Sequence, residues 1–185
     1  MDGWFLTYDV APLAPRHLLL VTENHWLSAR QTLETISVQP IESAIWAVAN
    51  LTSGAAAFVE HGSAGGTGEG RACIDHAHIH LFPLAHSPSG SDHLSLETAL
   101  LDLEPDENYL MIGVAGPNGS RVQTIQSNEF PKQVSRAVGA QLVGSEFRKW
   151  QAALHSLEAA KWRLSSALLL SEVAESLSLP LMASA

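Results

Sequence analysis

Apolar and polar positions along the chain switch between a period of two and a helical period, and the switches predict its elements. Residues 4–10 alternate enough for a strand. Pro12 and Pro15 end it, because a two-proline segment cannot sit inside a central strand. The apolar run His17-Leu18-Leu19-Leu20-Val21 has strand length. Ile41, Ala44, Ile45, Val48 and Ala49 recur at helical spacing, with Pro40 suited to the first turn and Gly54 to closure. Residues 55–60 read as a strand, followed by a glycine-rich connector over 62–70. Residues 74–83 read as a further strand, and Leu96, Leu100 and Leu103 as a short helix ending before Pro105. Residues 109–114 and 121–125 flank Pro117-Asn118-Gly119, a strong hairpin signal. Val134, Val138 and Leu142 mark a helix between Pro131 and Gly144. The Ala- and Leu-rich tail over 147–177 is expected to be a packing helix, with Leu157, Leu164 and Leu168 on one face towards the core or a second subunit.

Composition narrows the class. A length of 185 residues fits one domain and is enough to bury a core. Ten basic and nineteen acidic residues give a net charge of -9, which argues against binding a nucleic-acid polymer through its backbone. Charged residues are 16% of the chain and hydrophobic ones 46%, so it is not a disordered tail, and sparse surface charge points to self-association. Met1-Asp2-Gly3-Trp4 lacks the basic start of a secretory signal, and the most apolar stretches are too short for a bilayer. A cytoplasmic protein without a membrane partner is expected. One cysteine, Cys73, allows neither an intrachain disulfide nor a multi-cysteine zinc site.

Nine histidines nearly match the number of Lys and Arg together, and three of them sit in Asp75-His76-Ala77-His78-Ile79-His80-Leu81-Phe82-Pro83. Residues two apart on a strand share a face, so His76, His78 and His80 form a row and Ala77, Ile79 and Leu81 face a core. Three aligned imidazoles are hard to explain as packing, because each needs hydrogen-bond partners if buried. Two chemistries use such a row. One is a metal site, although the outer two histidines lie about 13 Å apart along a strand and would need ligands such as His17, His61 or Glu60. The other is nucleophilic attack on phosphorus by a neutral imidazole whose second nitrogen is held by a fixed acceptor. Neighbouring imidazoles would then stabilise phosphate charge or assist the leaving group.

At these residues the chain resembles the histidine triad (HIT) family, whose signature alternates three histidines with apolar residues. His76-Ala77-His78-Ile79-His80-Leu81-Phe82 meets every position of it. Tyr8-Asp9-Val10-Ala11-Pro12-Leu13-Ala14-Pro15-Arg16-His17 matches the family's upstream strand and proline loop, with His25 following. The resemblance covers about residues 4–84 well and continues weakly through the hairpin and the 130–142 helix. It implies an α+β fold with a mainly antiparallel sheet, a HIT-like domain over 1–126 and a C-terminal helical extension over 127–185. It also implies a homodimer.

The resemblance implies a nucleotidyl hydrolase or transferase attacking the α-phosphorus of a nucleotide conjugate, such as a nucleoside phosphoramidate or dinucleoside polyphosphate. His78 would be the nucleophile, and His80 would contact the phosphate and assist the leaving group. His76 would be an orienting residue bonded towards His17. Asp9 would accept the ribose hydroxyls, Val10 and Leu19 would line the nucleoside pocket, and Cys73 and Glu60 would stand near the phosphate, Glu60 with His61 as partner. No metal or other cofactor is implied. Relative to the family the chain lacks front strands, Cys73 replaces a serine, and Glu60 replaces an asparagine. Two other readings stay open: a nucleotide-binding protein with an idle triad, and a metal-dependent hydrolase using His76, His78 or His80.

Overall fold

A computed structural model of the chain describes residues 3–52, 54–65, 76–85, 95–105, 107–117, 119–147 and 149–178. Over these residues the protein is α+β, with six strands in one antiparallel sheet and six helices. The strands are β1 (Trp4–Tyr8), β2 (Leu18–Thr22), β3 (Ala55–Gly62), β4 (His78–Leu84), β5 (Tyr109–Gly116) and β6 (Gly119–Gln126). Their order across the sheet is β1-β2-β4-β3-β5-β6, and each neighbouring pair is antiparallel. The helices are α1 (Ala29–Thr32), α2 (Gln39–Leu51), α3 (Leu96–Leu101), α4 (Val134–Leu142), α5 (Trp150–Leu154) and α6 (Leu157–Ser176). None of the helices among the described residues is long and apolar enough to cross a membrane.

The period of two divides the sheet into two cores. Leu18, Leu20, Phe58, Ile79, Leu81 and Met111 face α2, whose Ile41, Ala44, Ile45 and Val48 are buried against them. Ala57, Val59, Phe82 and Leu110 face the other way, towards Ala140 of α4 and towards Phe147, Ala153 and Ala159. β3 is buried at every position, which explains its apolar run over 55–59: a central strand covered on both faces has no solvent side. Each fully buried Phe, Leu or Ile contributes roughly 1.5–3 kcal/mol of transfer free energy. α6 joins the two cores, with Ala159 in one and Leu169 and Val173 in the other.

Four sequence expectations change. Within the described residues β4 begins at His78, and His76 and Ala77 precede it, although Thr22 N–H still donates to Ala77 C=O at 3.0 Å. The tail is two helices, because Ser156 breaks it and caps α6 by accepting from the N–H groups of Glu158 and Ala159. Leu157, Leu164 and Leu168 point outward at 76%, 66% and 60% exposure, while Ala159, Ser166, Leu169 and Val173 are buried in their place. In α4 the buried face is Ser135, Arg136, Gly139 and Ala140, and Leu142 is exposed. The short helix α1 was not anticipated. It has no apolar period, and Ser28 caps it by accepting from Gln31 N–H. Cys73, Asn118, residues 66–70, His86 and His93 lie outside the described residues.

Candidate functional site

Register places the histidines before any side-chain detail is needed. On β4, His78 pairs with Val21 of β2, and His80 lies between Leu19 of β2 and Val59 of β3. Directly opposed residues share a face, so His78, His80, Leu19, Val21 and Val59 all lie on the side of the sheet covered by α4. His76 stands at the head of the row. Its Nδ1–H is shared between the carbonyls of Thr22 at 2.9 Å and Asn24 at 3.1 Å, and its ring meets that of His25 at 4.4 Å.

His78 Nδ1–H donates to the His76 carbonyl at 3.1 Å. A neutral imidazole has one N–H, so this bond leaves Nε2 as a free lone pair. Burial lowers the pKa of His78 below 6.5, although the His76 carbonyl and Asp9 act the other way. The ring is therefore neutral at pH 7, the state a nucleophile needs.

His80 belongs to a chain of fixed tautomers. Leu13 N–H donates to His17 Nδ1 at 3.2 Å, which puts the His17 proton on Nε2. That N–H donates to His80 Nδ1 at 3.0 Å, which puts the His80 proton on its own Nε2. The far end of the chain faces Ser135 Oγ of α4 at 3.4 Å. Both rings are buried, and burial is the main cause of their lowered pKa values. His17 falls to about 4, with Asp9 opposing and Arg136 adding to the shift. His80 falls well below 6.5, with His17, His78 and Arg136 contributing after burial. Phe82 backs the pair, its ring 4.4 Å from that of His17. The expected His17–His76 bond is thus replaced by His17–His80, because the loop over 9–17 carries His17 to the far end of the row.

That loop is built around Asp9. Asp9 Oδ1 accepts the Ala11 N–H at 2.8 Å, a local turn of the kind aspartate favours. Asp9 Oδ2 accepts Arg136 Nη1–H at 3.1 Å and lies 3.7 Å from His17 Nδ1. Arg136 also donates to the carbonyls of Ala11 and Phe147. The carboxylate expected to take ribose hydroxyls is therefore buried and already engaged on both oxygens. Val10 beside it is 60% exposed at the rim, and Leu19 lies half-buried next to His80.

Glu60 leaves the site altogether. It pairs with Ile79, which points into the α2 core, so it lies on the opposite face of the sheet from the histidines. Its carboxyl accepts Ala29 N–H at the start of α1 and the Tyr109 hydroxyl, at 2.7 and 2.6 Å. It is a structural group and not a phosphate neighbour. His61 faces the histidine side, edge-on to Phe130 at 5.4 Å, so it cannot be the partner expected for Glu60.

Ser135 and Arg136 were missed from the sequence. Val134 and Val138 do pack against the core, which hid the more deeply buried polar face beside them. Gly139 makes that face possible: a Cβ there would lie 2.7 Å from Phe82 Cζ. One signal was available, since a carboxylate at the buried end of a strand demands a cation, and only ten Lys and Arg exist to supply it.

Among the described residues, Asp9, His17 and His80 are the group whose ligand atoms lie close enough together to hold a metal ion, within 4.8 Å. Both His17 nitrogens already carry hydrogen bonds there, so an ion would displace Leu13 or His80. No protein-family model matches the chain, and no curated protein matches it either.

Proposed function

We propose that the protein is a HIT-like nucleotidyl hydrolase or transferase working through a covalent intermediate on His78. The observation that carries this reading is the His78 Nδ1–H bond to the His76 carbonyl, which frees Nε2 for attack beside a second imidazole with its proton fixed outward. His78 Nε2 forms a bond to the α-phosphorus as the bond to the amine or phosphate leaving group breaks. The leaving group takes the electron pair, and a proton from water completes it. Water then attacks the same phosphorus and gives a proton to the hydroxide left by the first step, the phosphorus–nitrogen bond breaks with its electron pair returning to Nε2, and a nucleoside monophosphate leaves with His78 neutral again. His80 Nε2–H donates to a phosphate oxygen throughout. His80 acts as a neutral donor, because its burial opposes a resting imidazolium.

The test is AMP release from an adenosine phosphoramidate and a dinucleoside polyphosphate, wild type against His78→Ala. Loss of the nucleophile should cost at least about 10³-fold. Equal rates in the two proteins would sink the mechanism. The engagement of Asp9 by Arg136 favours a second reading, a nucleotide-binding protein with an idle triad. Calorimetric binding of AMP without turnover of either substrate would select it.

A further inference from the structure

The C-terminal segment does more than cover the sheet. It places one hydroxyl, Ser135 Oγ, at the open end of the tautomer chain, 3.4 Å from His80 Nε2. Ser135 is 4% exposed and lies in the first turn of a nine-residue helix with no acidic residue in that turn. Three features lock it there. Gly139 lets α4 approach Phe82, Arg136 ties the next residue to Asp9 and Ala11, and Gln133 at the N-cap holds a left-handed backbone at φ 63°. A non-glycine residue in that region stores local strain, which packing elsewhere must hold. The 3.4 Å separation is long for a hydrogen bond and leaves both groups able to turn to a third atom.

We propose that Ser135 is a phosphate-binding residue, its hydroxyl donating to the same phosphoryl group that His80 Nε2–H contacts. This rests on the nucleotidyl-transfer reading of the site. A hydroxyl and an imidazole N–H converging from helix and strand bind a phosphate oxygen without any cation, and the positive end of the α4 dipole lies on the favourable side.

The experiment is calorimetry of wild type and Ser135→Ala with the four nucleoside monophosphates and their parent nucleosides, alongside the AMP-release assay. Ser135→Ala should bind the preferred monophosphate about tenfold more weakly, the size of one hydrogen bond to a charged group, and bind its nucleoside unchanged. Ser135→Cys, close in size and weaker in hydrogen bonding, repeats the comparison should the alanine variant unfold. Equal loss for monophosphate and nucleoside marks a merely structural serine and overturns the proposal, as does no loss at all. If the wild type binds none of the monophosphates, the proposal and the reading of the site both fall. If binding behaves as expected but no substrate is cleaved, Ser135 stands as a phosphate ligand and the transfer reading alone fails.

Discussion

Glu60 should make stability fall as pH rises, in a way a single substitution can isolate. Its carboxyl is fully buried, and burial raises its pKa from the ordinary 4.5 to about 7 against the opposing pull of the Tyr109 and Ala29 hydrogen bonds. Between those values the folded chain holds a proton that the unfolded chain has released. The contribution is full below pH 4.5 and is lost as pH rises through 7. At about 1.4 kcal/mol for each pH unit, the swing is about 3 kcal/mol. His17 works in the opposite sense. Its pKa falls from 6.5 to about 4, so its contribution is present above pH 6.5 and is lost as pH falls through 4. His78 and His80 shift in the same direction as His17, so the wild-type curve alone is a difference of opposing slopes. Comparison with Glu60→Gln removes the histidines from the result. The amide oxygen keeps the Ala29 N–H bond, and the side chain no longer ionises. Urea unfolding of both proteins from pH 4.5 to 7.5 should show the advantage of wild type shrinking by about 3 kcal/mol as pH rises. A constant gap, or one that widens with pH, would refute the assignment of Glu60 as a buried neutral acid.

The remaining predictions concern the histidine face. In the proposed mechanism neutral His78 is the reactive form, and burial lowers its pKa, so the acid limb of kcat/KM for AMP release should have its midpoint below pH 6.5; a midpoint above 6.5 contradicts the geometry. Arg136→Met leaves Asp9 buried without its cation and should cost about 3 kcal/mol or more in chemical unfolding, part of which Asp9→Asn should recover; additive single-variant costs would show that the pair is not coupled. Gly139→Ala gains about 1 kcal/mol of helix propensity, yet its new Cβ meets Phe82, whose ring backs His17. The variant should lose about 1–3 kcal/mol in thermal unfolding, and an increase in stability would mean that α4 does not press on the ring.

The strands were legible as short alternating or wholly apolar runs, and the histidine row was legible from the period of two. What failed was parity and reach. Glu60 looked close to the site along the chain, but Val59 is the residue aligned with His80, so one step moves Glu60 to the other face. Only the pairing of β3 with β4 decides that, and pairing is not local information. The tautomer chain depends on where the loop over 9–17 sets down His17, which alternation does not encode. In α4 the apolar residues Val134 and Val138 are real but secondary. Small residues and one compensated arginine form the inner face, and a hydrophobic pattern cannot reward an arginine whose partner is 127 residues away.

Charge explains why those missed residues matter. The chain carries a net charge of -9, and Arg136, whose guanidinium lies beside the histidine row, is taken up by Asp9, so in the proposed function it is not free for a phosphate. Protonated imidazoles would supply positive charge, but a protonated His78 has no lone pair to attack with. Burial lowers the pKa of His17, His78 and His80 together, which in the proposed mechanism favours reactivity by keeping the His78 lone pair free. In the proposed function, anion binding then falls to oriented neutral donors, which act strongly in a site shielded from water. The Leu13–His17–His80 chain orients one such donor, and α4 brings the other, Ser135. In the proposed chemistry, the helix after the sheet is therefore part of the phosphate site, since a triad neutralised by its own burial needs a second donor from outside the strand.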